Sequence, residues 1–154
     1  MLERCFQELL DMPLNEFEPK PLPHGTYLCV VVQQPDFDRV CDEDAIDYED
    51  ETPCVVFTFK PVQVQNDVDQ RELREVLNGE TLSEREITYR IPVADRSKRW
   101  IKKFLVDDLG IDPTLQLKQA ICEAMGRQVN VKLSHRVAKN GSAVYDFVVG
   151  TAKV

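Results

Sequence analysis

Gln128-Val129-Asn130-Val131-Lys132-Leu133-Ser134-His135-Arg136-Val137 and Ala143-Val144-Tyr145-Asp146-Phe147-Val148-Val149 flank an Asn140-Gly141 pair. This stretch decides the fold. In the first run every second residue from Val129 to Leu133 is apolar and its neighbours are polar, the period of a strand with one face buried. Both central positions of a type I′ turn need positive φ, and Asn-Gly tolerates that best. The pattern therefore predicts an antiparallel hairpin, with its closing strand running from 143 to 153.

Working outward, Thr26 to Gln34 and Cys54 to Lys60 are rich in β-branched and aromatic residues and read as two earlier strands, the second continuing towards Gln65. Ile87, Tyr89, Ile91 and Val93 alternate with Thr88, Arg90 and Pro92 in a half-exposed strand that Pro92 ends or places at an edge. Helical spacing appears at 2–11, where Leu2, Phe6, Leu9 and Leu10 share a face. A second helix is expected after Asp67 as N-cap, carrying Leu73, Val76 and Leu77 and ending at Gly79. A third starts at Asp95, carries a stripe of Trp100, Ile101, Phe104, Leu105 and Leu109, and stops at Gly110. A fourth begins at Asp112-Pro113, with proline at the favoured first position, and runs to Gly126.

The fold class expected is thus mainly β (α+β). It is a five-stranded antiparallel OB-like barrel with helices inserted between strands 2 and 3 and between strands 3 and 4, plus an N-terminal helix. The 154 residues suit a single domain, with 1–16 a helical arm and 35–53 an acidic loop insert.

Charge is distributed unevenly. Residues 36–51 hold nine acids and one base, a net of −8, which equals the net charge of the whole chain. The other 138 residues balance, and 85–154 alone carry thirteen bases against seven acids, a net of +6. A polyanionic partner is therefore not excluded by the overall sign. The insert does not match a calcium loop, because it lacks the central glycine and the spaced glutamate. It reads as a solubilising or docking loop, or as a polyanion mimic that shields a basic face.

Several classes drop out. No apolar run approaches the roughly 18–20 residues of a bilayer span, and the N-terminus lacks the pattern of a signal peptide, so the cytoplasm is expected. The five cysteines are scattered without a C-x-x-C, and His24 and His135 stand alone in sequence, so neither a metal site nor a cofactor is expected. Cys29, Cys54 and Cys122 read as reduced core residues. No glycine-rich phosphate loop, H-E-x-x-H or nucleophile elbow is present, so the chain is read as non-catalytic.

The candidate nucleic-acid-binding residues are Arg90, Arg96, Arg99, Lys102, Lys103, Lys132 and Arg136. Arg96, Arg99, Lys102 and Lys103 crowd one predicted helix, Lys132, Ser134 and Arg136 share a strand face, and the preceding strand offers Arg90, whose side of the sheet alternation leaves open. Cations so arranged release counterions from a phosphate backbone, although a solvated amphipathic face has the same pattern. Stacking of unpaired bases would need exposed aromatics. Phe57, Phe59, Tyr89, Tyr145 and Phe147 are instead expected to follow the apolar face into the core.

Leu22-Pro23-His24-Gly25-Thr26-Tyr27 leading into a β-run, together with Asn140-Gly141, Tyr145 and the closing strand, resembles a group of small phage-encoded proteins. The similarity runs from about Phe17 to Val154, on structural rather than chemical motifs. The resemblance implies an OB-like fold and single-stranded DNA binding or a replication-accessory role in the bacterial host cytoplasm, and the long acidic insert departs from it. A second reading is a virion structural protein, a capsid-decoration or neck component, docking to other phage proteins through the insert and the N-terminal helix. An oligomer is compatible with both.

Overall fold

The computed structural model describes residues 7–8, 10–13, 20–32, 35–39, 53–137 and 144–154. Six strands carry the fold: β1 (Gly25–Val31), β2 (Asp36–Arg39), β3 (Pro53–Val64), β4 (Ile87–Pro92), β5 (Gln128–Val137) and β6 (Val144–Ala152). β1 and β2 follow one another along the same edge of β3, at Phe59 to Val64 and Pro53 to Val56, and act as one broken strand. On that count five antiparallel strands run in the order β4-β3-β1-β5-β6, curled so that β4 and β6 approach and nearly close a barrel.

The barrel is filled by the inward set of each strand. Tyr27, Cys29 and Val31 meet Val55, Phe57 and Phe59, then Ile87 and Ile91, then Val129, Val131 and Leu133. Phe104 enters from the helical side, its ring 4.8 Å from Phe57 and 5.4 Å from Tyr89 in edge-to-face contact. Such pairs add to the area that they bury. Gly25 opens β1 at φ +139, where a Cβ would stand 2.5 Å from Val68 Cγ2, so the close approach there admits only glycine.

Helical elements lie between β3 and β4 and between β4 and β5. The first, α1 (Gln70–Leu77), is capped by Asp69, which accepts from the Arg71 and Glu72 amides. The expected cap, Asp67, has another task. Its carboxylate takes the Thr26 amide and hydroxyl, both at 2.8 Å, and ties the start of the helical connection to β1. Those two hydrogen bonds hold its pKa below the usual range.

The segment expected as one helix from 95 to 109 changes pitch twice. Asp95–Ser97 is a 3-10 turn, α2 (Lys98–Lys102) follows, and Lys103–Asp108 widens into a π turn. Residues five apart stand about 140° apart around an α-helix, and a π turn brings them nearly into line. That alignment lets Lys103 Nζ reach Asp108 at 2.9 Å. The helix expected from 112 is short, α3 (Leu117–Glu123). Asp112 instead accepts from the Thr114 amide and hydroxyl at 2.9 and 2.8 Å, and this local side-chain turn wins over the proline-started helix.

Three further expectations are corrected. The acidic insert does not begin as a loop at 35, because twelve-residue β3 outruns seven-residue β1 and residues 36–39 pair with its leading end. Cys122 is exposed, while Cys29 and Cys54 are buried thiols, and burial pushes Cys29 up to about 12. His24 and His135 do have partners: their rings stack 4.2 Å apart. The rest of the insert, the Asn140-Gly141 turn and most of the N-terminal helix at 2–11 lie outside the described residues.

Candidate nucleic-acid interface

The β5–β6 hairpin presents two chemically different faces. Pairing runs Val137↔Val144, Arg136↔Tyr145, His135↔Asp146, Ser134↔Phe147 and Leu133↔Val148, then shifts at Lys132/Leu133 so that Lys132 faces Gly150. Successive side chains alternate across a sheet, so His135, Asp146, Leu133 and Val148 share the inner face. There the chain from Lys20 to His24 closes over them. Leu22, fully buried, donates its amide to Asp146 Oδ1 at 2.8 Å, and its carbonyl contacts His135 Nε2 at 2.5 Å. Tyr27 donates its hydroxyl to the Pro23 carbonyl at 2.8 Å, and burial raises its pKa. Burial also raises the pKa of Asp146, against the opposing pull of the Leu22 amide.

The outer face carries Lys132, Ser134 and Arg136 on β5, beside Tyr145, Phe147 and Val149 on β6. The Arg136 guanidinium lies 3.7 Å from the centre of the Phe147 ring, a contact in which cation and π-face attract. Tyr145 and Phe147 are half-buried rather than in the core, which overturns the expectation for these two. Phe57 and Phe59 are buried as expected and Tyr89 is packed against them. The bulge and the covering N-terminal segment set which face of the hairpin points in, and neither is visible in alternation alone.

The remaining predicted residues fall into separate groups. Arg90 is exposed on β4, opposite Val56 and across the barrel seam from the hairpin. Arg96 and Arg99 are exposed on the helical segment, and Trp100 stands with them, 50% exposed. Lys102 turns the other way. With Lys98 it lines a cleft of about 610 Å³ whose apolar walls include Ile101, Leu105, Ile111, Leu117 and Ala120. Lys98 is held by Asp95 at 2.8 Å. Lys103 is engaged within the fold, bonded to buried Asp108 and to the Thr151 carbonyl, while the Thr151 hydroxyl donates to Asp108 at 2.5 Å. This polar knot staples the helical segment to β6 across the seam.

Trp100 is the residue that sequence reasoning misplaced. Ser97, Ile101, Phe104, Leu105, Asp108 and Leu109 are the buried residues of the segment. Trp100 adds nothing to that set and sits one and four residues after Arg99 and Arg96. Three residues after Ser97 and four before Phe104, it keeps the i, i+3, i+4 spacing, so spacing alone did not reveal that the fold leaves it half exposed at the edge of the stripe.

Among the described residues no group of three or more His, Cys, Asp or Glu is placed to hold a metal ion, and no helix is long and apolar enough to cross a membrane. No known protein family and no curated protein matches the chain.

Proposed function

We propose that this chain binds single-stranded DNA without catalysis, as a replication-accessory protein of the kind the phage resemblance implies, on an OB-like barrel. The observation that carries the reading is the outer face of the β5–β6 hairpin, where Lys132 and Arg136 stand beside the half-exposed rings of Tyr145 and Phe147. Cations on such a face meet phosphates, and aromatic faces stack unpaired bases for roughly 1–3 kcal/mol each. The strand order supports it: β1 pairs with both β3 and β5, β4 and β6 close the seam, and the main helical insertion lies between β4 and β5. A nearly closed five-stranded antiparallel barrel with that order supports an OB-type reading.

Binding to a labelled thirty-nucleotide oligothymidylate at about 50 mM salt tests the proposal. Log affinity is expected to fall with log salt by about 0.7 per phosphate contacted. Lys132→Glu with Arg136→Glu should weaken binding and flatten that slope, while Arg71→Glu on exposed α1 should do neither. Absence of binding at that salt ends the proposal, and preference for an RNA strand of equal length redirects it.

A further inference from the structure

We infer that Trp100 is a base-stacking residue, and that with Arg96 and Arg99 it makes a second contact for the same single strand that the hairpin face binds. The inference rests on the proposed function and adds a residue and a surface to it.

Three observations converge on this tryptophan. First, it is half exposed although it is the largest side chain in the protein, and it contributes nothing to the buried set of its own helical segment. Second, its platform is rigid. Ile101 and Phe104, one and four residues on, are buried, and Phe104 is locked among Phe57, Phe59 and Tyr89 at centroid distances of 4.8, 6.0 and 5.4 Å. Ser97, wholly buried, anchors the start of the segment through bonds to Pro92 and Ala94. An aromatic ring on such a base loses little freedom when a ligand arrives.

Third, its surroundings are cationic. Arg99 adjoins it in sequence and Arg96 lies one turn before, both exposed. Of the acids on the segment, Asp95 is paired with Lys98 and Asp108 is buried against Lys103 and Thr151, which leaves exposed Asp107 against the two arginines. A flat aromatic flanked by guanidinium groups suits a polyanion that carries flat rings. Bases in a duplex have no free face to offer, so the occupant is a single strand.

The segment is also fastened to the strand that carries the hairpin aromatics. Lys103 fastens the segment to the Thr151 carbonyl, near the end of β6. Phe147 lies four residues earlier on the same strand, about 13 Å along it at strand rise. The helical segment that carries Trp100 is thus tied to the strand that carries Phe147.

The chain has a single tryptophan, so its intrinsic fluorescence reports Trp100 alone. Titrating the full chain with oligothymidylate should quench that emission along the same isotherm as the anisotropy of the labelled strand. Trp100→Ala should weaken binding roughly 5- to 150-fold, the range set by one stacked base, and Trp100→Phe should recover most of it. Binding by anisotropy with unchanged emission overturns the inference and leaves the proposed function standing. So does equal quenching by a blunt duplex, or wild-type affinity in Trp100→Ala. If no strand binds at all, both readings fall together.

Discussion

Two pairs of strands in this barrel carry aromatics at alternating positions, and they use them in opposite ways. On β3 and β4, Phe57, Phe59 and Tyr89 turn inward around Phe104. On β5 and β6, Tyr145 and Phe147 turn outward beside Arg136, while His135 and Asp146 take the inner face under the N-terminal segment. Alternation states which residues share a face, but not which face is buried. The side that finds a cover becomes the core.

The largest expected effect tests the inner half of that comparison. Phe57→Ala empties a site walled by Phe104 and should cost roughly 3–5 kcal/mol, read from urea unfolding. Phe147→Ala should cost far less, because its ring is half exposed. Equal losses for the two would mean that the outer aromatics are core after all.

Next is the functional contrast. Tyr145→Ala with Phe147→Ala should weaken single-strand binding by about 1–3 kcal/mol per stacked base, with the fold intact by circular dichroism. Tyr89→Phe, a change inside the barrel, should leave affinity unchanged. A double variant that binds like wild type removes the hairpin face from the proposal.

A smaller effect should appear in salt dependence. Each lysine or arginine reversed on the outer face should lower the salt slope by about 0.7. Lys132→Glu is expected to show it in binding isotherms between 50 and 200 mM salt, whereas Lys118→Glu on α3 is not. Identical slopes would place the phosphates elsewhere.

The smallest is a pH dependence of opposite sign for two carboxylates. Burial raises the folded pKa of Asp146, so its folded state is favoured below the ordinary carboxylate value of about 4, and that advantage is lost as pH rises through the raised value. Asp67 is lowered by its Thr26 hydrogen bonds, so its contribution is present above the ordinary value and lost as pH falls. Relative to wild type, Asp146→Asn should therefore gain stability from about pH 4 upward, and Asp67→Asn should lose least in acid. Parallel unfolding midpoints across that range would contradict both assignments.

Much of the chain was legible before folding. β-branched and aromatic runs placed β1 and β3, period-two alternation placed β4 and β5, and the reversal at Asn140-Gly141 placed β6, each within a few residues. Sequence alone also located the negative charge in one segment and the positive excess in 85–154. Tertiary structure alone decided matters of facing and competition. Asp67 could cap a helix or bind Thr26, and the contact across 41 residues won. Residues 95–108 could run as one α-helix, and burying Asp108 against Lys103 and Thr151 widened the last part into a π turn. Trp100 looked like core by its chemistry and its spacing, yet the fold leaves it half exposed beside a buried set at 97, 101, 104, 105, 108 and 109. The physical reason is the same in each case. Local patterns specify which groups travel together, whereas inside and outside are properties of a surface and its cover, and the cover came from residues far away in the chain.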